Sequence, residues 1–327
     1  MTTLGVAIGW GRWVALALVG AALAALPQVA SSYVLFLIYL TCVNISLAQS
    51  WNLIGGYTGL VSLGHAAFFG IGAYTTALLI RGVGMPFVLA TLAGGLVAAG
   101  FAAAVSLPIF RFRGIYFTIG TLVLAEALRI WMINWEWTGG AQGLNLPSSS
   151  VPPLTNFYYI ALALAAGSTL LLGAILRSRL GLALRATRDN EDAAQNMGIN
   201  TFRTKLAAFA LSAFLAGLTG GIHAVKLSVI EPYSIFAANW TIATINTVII
   251  GGIGTLFGPL LGAIVLTLLA EILAHLYAVH LIITGVIFIL VIRFLPAGLW
   301  GSLCRAPFVA RLGAHMATWT RKYERIT

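Results

Sequence analysis

Long apolar runs alternate with short polar segments along almost the whole chain. Each run is close to the roughly 20 residues that a helix needs to cross about 30 Å of hydrocarbon. Because the runs are continuously apolar rather than alternating, they indicate helices and not the strands of a membrane β-barrel. The pattern predicts an all-α, polytopic transmembrane bundle of about eight to ten spans. The runs cover residues 12–28, 32–54, 60–80, 86–108, 115–134, 156–176, 205–226, 239–253, 259–278 and 280–295.

The composition excludes a water-soluble or disordered chain. Hydrophobic residues make up 60% of the sequence and charged residues only 8%, against about 45–50% and about 25% in globular domains. A disordered chain has far less apolar side chain than this. The two cysteines, Cys42 and Cys304, lie in an apolar run and in a basic tail, so no disulfide framework is predicted.

The net charge of +10 is concentrated in two places. Residues 177–205 contain six of the 18 basic residues and the stretch after Pro296 contains five more, whereas residues 135–155 contain none. Loops rich in Lys and Arg mark the cytoplasmic side. We therefore expect both termini and residues 177–205 in the cytoplasm, with 135–155 outside. The excess suits membrane lipid as a partner and not nucleic acid.

The same pattern predicts the division into domains. Residues 1–295 form the transmembrane domain, with a cytoplasmic loop over 177–204. Residues 296–327 form a basic cytoplasmic tail.

Two glycine-rich stretches are not plain spans. They read LIGGYTGLVSLGHAAFFGIGAY over residues 53–74 and GGIGTLFGP over residues 251–259. Glycine either lets helices approach closely or lets the chain bend where protein satisfies the backbone, and Pro259 is well placed to begin a helix. Both tight helix packing and broken helices lining a translocation path stay open. The candidate path or break residues are Gly55, Gly56, Gly59, His65, Gly251, Gly252 and Gly254.

The segment 178–200 is the longest charged connection in the chain. Asp189, Asn190, Glu191 and Asp192 suit the first turn of a helix, and Gly198 suits the position just after its end. The pattern predicts a short amphipathic helix across the cytoplasmic end of the bundle. Such a helix either lodges on the membrane surface or inserts into a groove of a partner.

This segment resembles the coupling-helix loop of ABC importer permeases. The order EDAAQNMGINTFRTKLAAFALSAFLAGLTGG over residues 191–221 is similar to the branched-chain amino acid permease family, in its LivM-like type. The stretches 53–74 and GGIGTLFGPLLGA over 251–263 are similar to the same family.

The resemblance implies one half of a translocation path in a bacterial or archaeal inner membrane. Its partners would be a homologous permease, two cytoplasmic ATPase subunits and an extracytoplasmic solute-binding protein. No G-x-x-x-x-G-K-[ST] loop occurs, so we expect a non-hydrolytic subunit without cofactor, ATP being bound by the partners. The residues implied in coupling to the ATPase are Arg188, Asp189, Glu191, Asp192, Ala193, Ala194, Met197 and Gly198.

Two alternatives remain at this stage. The same architecture could serve another small solute, such as urea, a short amide or an aromatic acid. A secondary transporter would instead need paired acidic or unwound sites near the midplane, which the separate Glu126 and Glu271 fit poorly.

Ionisable residues inside the runs have structural alternatives. Glu126 and Arg129 are spaced to form an ion pair on one helix face, and Glu271 and His275, with His280 nearby, suit a packing or interface role. His65 could line the path or pack between helices with one ring nitrogen satisfied. His223 and Lys226 are expected to reach the outer surface, and Asn44, Asn52 and Asn246 to bond across helices. No metal-ligand or catalytic set is predicted.

Overall fold

A computed structural model describes residues 23, 25–147, 151–273, 280–295 and 297–305. Within these ranges the chain is almost entirely helical, and two short strands, β1 (Leu144–Asn145) and β2 (Val229–Ile230), pair antiparallel with Leu144 opposite Ile230. The helices are α1 (Ser32–Trp51), α2 (His65–Val83), α3 (Phe87–Ile109), α4 (Ile115–Asn134), α5 (Leu154–Arg177), α6 (Arg179–Asp189), α7 (Glu191–Asn196), α8 (Thr201–Leu227), α9 (Pro232–Ile235), α10 (Ala238–Gly251), α11 (Gly258–Leu273), α12 (His280–Phe294) and α13 (Gly298–Arg305).

Seven helical segments in the described ranges are long and apolar enough to cross a membrane: α1 with the turn that follows it, α2, α3, α4, α5, α8, and α9 with α10. The shorter α11 and α12 are also apolar. The predicted all-α polytopic bundle is confirmed. Most of the predicted span 12–28, the last residues of the predicted span 259–278 and most of the basic tail lie outside the described residues, so ten crossings stay a prediction.

The centre of the bundle is built on α8, which packs against α1, α2 and α3. Small residues let the backbones approach closely, as is common between membrane helices. A Cβ added at Gly72 of α2 would overlap the carbonyl of Gly217 on α8, and one added at Gly220 would overlap the carbonyl of Phe69. Gly72 of α2 and Gly220 of α8 therefore serve tight packing.

The connections gather at two ends of the bundle. At one end, which we call the basic end, residues 52–64, 110–114, 178–200 and 252–257 lie together; Arg113 pairs there with Asp192. At the opposite end, β1 and β2 join residues 135–147 to residues 228–237. Connections alternate between the two ends along the chain, as the charge pattern predicts, and which end faces the cytoplasm stays a prediction.

Candidate functional site

The first glycine-rich stretch interrupts the helical path between α1 and α2. After Trp51 the helix widens into a π-helical turn over Asn52–Gly56, and residues 57–64 are not helical before α2 begins at His65. Single π-helical turns are rare and occur often at functional sites. We call residues 52–64 the first break.

Side chains from neighbouring helices satisfy the backbone of the first break. The Trp51 indole donates to the Ser62 carbonyl at 2.8 Å, and the Thr118 hydroxyl donates to the Val61 carbonyl at 2.8 Å. The Leu63 amide donates to Thr121 Oγ1 at 3.0 Å. Irregular backbone at membrane depth is tolerated where protein supplies such partners, so the break is a built feature of the fold.

The second glycine-rich stretch separates α10 from α11. Gly252 and Gly254 have φ values of +125° and +70°, which residues other than glycine rarely adopt. Helix α11 starts at Gly258 with Pro259 in its first turn. A Cβ at Gly251 would overlap the Gly258 carbonyl. We call residues 252–257 the second break.

The two breaks are bonded to each other, although about 200 positions separate them. The Asn52 amide donates to the Thr255 carbonyl at 2.9 Å and accepts from the Gly254 amide at 2.9 Å. Gln49, one turn earlier on α1, donates to the Leu256 carbonyl at 2.8 Å. A Cβ at Gly56 would lie 2.8 Å from the Gly254 nitrogen. The glycines let the two breaks approach closely, and the side-chain amide of Asn52 bonds one break to the other.

The predicted short helix is α7, and its ends are capped as the sequence predicts. Asn190 Oδ1 accepts from the Ala193 amide at 2.9 Å, and Gly198 has φ of +84°. Ala194 is fully buried, whereas Met197 is 72% exposed. One detail differs from the expectation: Arg188 and Asp189 belong to the last turn of α6, because the chain turns sharply at Asn190.

The two acids of α7 have different surroundings. Glu191 turns inward and forms an ion pair with Lys205 of α8, whose side chain is only 9% exposed, and it accepts from the Thr201 hydroxyl at 3.3 Å. Asp192 lies 3.7 Å from Arg113 with both side chains more than 70% exposed. Sequence alone predicts both acids as contacts for a partner; the structure leaves Asp192 accessible and uses Glu191 internally.

Arg188 connects this segment to the first break. Its guanidinium donates to the Gly56 carbonyl, and a Cβ at Gly59 would lie 3.2 Å from Arg188 Cγ. Burial raises the pKa of the nearby Tyr57 phenol, and the positive charges of Arg185 and Arg188 oppose that rise. The sequence placed Arg188 in the coupling set but gave no signal for this inward contact.

His65 lies at the start of α2 with its ring buried. The Ser50 hydroxyl lies 2.7 Å from His65 Nε2 and within hydrogen-bond distance of the Leu47 carbonyl. The other ring nitrogen, Nδ1, is buried and has no hydrogen-bond partner among the described residues. One ring nitrogen is thus satisfied, as the packing interpretation requires, and a path role stays a prediction.

Comparison with known proteins identifies the family. The family described as "Branched-chain amino acid transport system / permease component" matches residues 33–292. The chain belongs to this family. The predicted family is confirmed, and the seven long apolar helices make the chain a multi-pass inner-membrane permease.

The permease is similar to several curated transport subunits. It is 32% identical over 291 residues to the high-affinity branched-chain amino acid transport system permease protein LivM of Escherichia coli (strain K12), covering 80% of this chain and 68% of LivM. It is 26% identical over 290 residues to LivH of the same organism, covering 78% and 90%. It is also 27% identical over 255 residues to the autoinducer 2 import system permease protein LsrC of Yersinia enterocolitica, covering 74% and 66%. No solved structure matches it significantly.

Four other ionisable side chains that the sequence singled out contact side chains of the permease itself: Glu126, Arg129, His223 and Glu271. Arg129 Nε donates to both Glu126 oxygens at 3.1 Å, which confirms the predicted pair. His223 is not at the surface as predicted; it is buried, with Nδ1 3.3 Å from the Tyr39 hydroxyl, because α8 lies at the centre of the bundle. Glu271 meets the Tyr33 hydroxyl, while His275 and the side chain of His280 lie outside the described residues.

Two of the three asparagines that the sequence singled out form the predicted polar contacts. Asn44 donates to Thr267 Oγ1 at 3.2 Å, as Asn52 does to the second break. Within the ranges that the structure describes, no group of three or more His, Cys, Asp or Glu side chains could hold a metal ion.

Proposed function

We propose that this permease forms half of the translocation path of an ATP-driven importer for branched-chain or related amino acids. Two permease subunits named for this transport, LivM and LivH, match most of its length. A homologous permease would complete the path, two cytoplasmic ATPase subunits would supply energy, and an extracytoplasmic binding protein would deliver the amino acid.

The observation that carries the proposal is the construction of α7. A six-residue helix is too short to be stable alone, yet α7 is capped at both ends and locked to α8 by the Glu191–Lys205 pair. Its outer side leaves Met197 exposed, an adaptable apolar side chain suited to a partner surface. ATPase subunits that bind α7 would push on α8, the central helix of the bundle.

Helix-breaking Ala194→Pro tests this role. Proline removes the 3.0 Å bond from the Ala194 amide to the Asn190 carbonyl and costs about 3 kcal/mol or more of helix stability. We expect loss of uptake, with membrane insertion of the permease unchanged. Ala194→Gly keeps the amide and costs only about 1 kcal/mol, so it is the matched control and should transport better.

The measurements are uptake, co-purification of the ATPase subunits and hydrolysis stimulated by the binding protein. Full uptake by Ala194→Pro, with the ATPases still bound, would show that α7 is only a surface loop. The two acids of α7 are tested separately. Reversing the charge of Glu191 breaks its pair with the buried Lys205, whereas reversing the charge of Asp192 affects only an exposed pair.

The substrate is tested by competition. In cells lacking other uptake systems, import of labelled leucine should be inhibited by valine and isoleucine and not by urea or a short amide. The similarity to LsrC, named for import of a different solute, makes a non-amino-acid substrate the second candidate. Uptake of leucine that does not depend on the permease would refute the first.

The membrane sidedness is tested by cysteine labelling. Met197→Cys at the basic end and Gln142→Cys at the opposite end both place the thiol at an exposed position, with Cys304→Ser removing the exposed native thiol. In sealed, right-side-out cells, an impermeant reagent should reach position 142 and not 197. Thr187 would be a poor reporter because its side chain is buried.

A further inference from the structure

The end of α1 needs hydrogen-bond donors from outside the helix, because the last four carbonyls of a helix have no donor within it. The amides of Tyr57 and Thr58 turn back to the carbonyls of Asn52 and Ile54. The Gly56 carbonyl is served instead by the guanidinium of Arg188, from a helix 132 positions later. Arg188 therefore closes the end of the π-helical turn.

The same guanidinium lies between the two breaks. A Cβ added at Gly254 would lie 2.7 Å from Arg188 Nη1 and 3.1 Å from the Gly56 carbonyl oxygen. A Cβ at Gly59 would lie 3.2 Å from Arg188 Cγ. The Arg188 side chain thus occupies the space that two glycines leave open, Gly59 in the first break and Gly254 in the second.

Other contacts of this region are separable from that of Arg188. Asn52 joins the two breaks to each other without it. Leu184 of α6 packs in an apolar cluster with Leu53 and Tyr57 of the first break, and Leu256 of the second break packs against the same cluster. These apolar contacts are not directional, unlike the hydrogen bond of Arg188. Arg185, one turn before Arg188, donates to the Leu176 carbonyl at the end of α5, which is the helix that leads into α6.

We propose that Arg188 is the positioning residue that passes movement of residues 178–200 to both glycine-rich breaks. The inference rests on the proposed function, since the movement would be supplied by the ATPase subunits acting on α7. A rigid α6 carries its last turn with it, and the charged hydrogen bond at the end of that turn pulls on the Gly56 carbonyl. Because Asn52 bonds the breaks together, both would shift as a unit.

The test compares Arg188→Gln with Arg185→Gln in the assembled transporter. Each change removes one positive charge from α6, but only the first removes the contact with the breaks. We expect uptake by Arg188→Gln to fall about tenfold or more, the effect of losing a hydrogen bond to a charged group. Hydrolysis stimulated by the binding protein should stay within about twofold of wild type. Arg188→Lys, which keeps the charge without the planar fork, should fall between.

Two results would overturn the proposal. Uptake by Arg188→Gln that matches Arg185→Gln would show that the contact transmits nothing. A parallel loss of uptake and hydrolysis in an intact complex would make Arg188 a docking residue for the ATPase. If Arg188→Gln does not assemble, Arg188→Lys against Arg185→Lys gives the same comparison, since both variants keep the charge of α6 and only the first loses the guanidinium that bonds the Gly56 carbonyl. Uptake by Arg188→Lys equal to that of Arg185→Lys would also overturn the proposal.

A distance measurement separates this inference from the proposed function. Spin labels at Met197→Cys and Ile253→Cys, both exposed positions, report on α7 and on the second break in a Cys304→Ser background. On nucleotide binding, the distance distribution should stay narrow in wild type and broaden in Arg188→Gln. A wild-type complex that binds nucleotide yet imports no amino acid would refute the proposed function alone; identical distributions in both proteins would refute the role of Arg188.

Discussion

The two ends of the bundle are held together in different ways. At the basic end, side chains bond to backbone groups of distant segments: Asn52 to the second break, Gln49 to Leu256 and Arg188 to the first break. At the opposite end, a two-residue ribbon joins 135–147 to 228–237, and stacked indoles such as Trp131 and Trp135, 4.8 Å apart, cover the surface. The contrast indicates that specific polar bonds are concentrated where movement would have to be transmitted.

The ion pairs provide the sharpest test of this contrast. Lys205→Ala at the basic end removes the buried partner of Glu191, whose own side chain is 27% exposed, and losing this charged hydrogen bond costs roughly 1.5–3 kcal/mol. Arg129→Ala near the opposite end breaks a pair whose side chains are 30% and 48% exposed, which costs about 1 kcal/mol or less. Thermal unfolding of the detergent-solubilised permease should show a much larger fall for Lys205→Ala. Equal falls would mean that the basic end is no more tightly held.

Glycines at the two ends should also differ. Gly56→Ala forces a Cβ into the Asn52 side chain and against the Gly254 nitrogen, and overpacking of this kind costs roughly 1–3 kcal/mol. Gly82→Ala, in the last turn of α2, meets open space and should be neutral or slightly stabilising, since alanine favours helix. Complex yield and uptake measure both. Normal yield and uptake for Gly56→Ala would show that its close approach to Gly254 is incidental.

Single hydrogen bonds give a smaller contrast. Asn52→Ala leaves the Gly254 amide and the Thr255 carbonyl without their shared partner, at about 1–2 kcal/mol. Tyr74→Phe at the opposite end loses a long bond of 3.4 Å to the Ile230 carbonyl and should cost about 0.5 kcal/mol or less. Hydrogen exchange over residues 252–257 should accelerate in Asn52→Ala. Unchanged exchange there would argue that the breaks are held together by packing alone.

The exposed acid of α7 should give the smallest effect on stability. Asp192→Asn removes a pair in which both side chains are more than 70% exposed, worth roughly 0–1 kcal/mol. The unfolding temperature should therefore be almost unchanged, while association with the ATPase subunits weakens at low salt and less at high salt. A large loss of stability would place Asp192 with Glu191 as an internal residue.

Local sequence signals predicted the elements of the permease well. The apolar runs located the long helices, the Asn190 and Gly198 caps located α7, and Pro259 marked the first turn of α11. These features depend on side chains a few positions apart, which is the range over which helix periodicity and capping act. The membrane sidedness and the number of membrane crossings are predicted from the same kind of local signal, and they stay predictions.

The sequence did not predict the direction in which individual side chains point. Nothing in the sequence around His223 distinguishes a buried position from one near the outer surface. Its burial follows from the central position of α8. Adjacent acids Glu191 and Asp192 read identically, yet one meets Lys205 and the other meets Arg113. Neighbouring residues on a six-residue helix face different directions, so the surrounding helices decide which of them is internal.

The sequence by itself determined that this is a helical membrane protein with two glycine-rich interruptions and a capped helix between two spans. Those properties follow from composition, hydrophobic run length and local caps, none of which depends on long-range contacts. Only the tertiary structure decided that the two interruptions meet, that Asn52 bonds one to the other, and that Arg188 lies between them. Residues about 200 positions apart come together through the packing of whole helices. A glycine in the sequence shows that close approach is possible there, but it does not show which segment approaches.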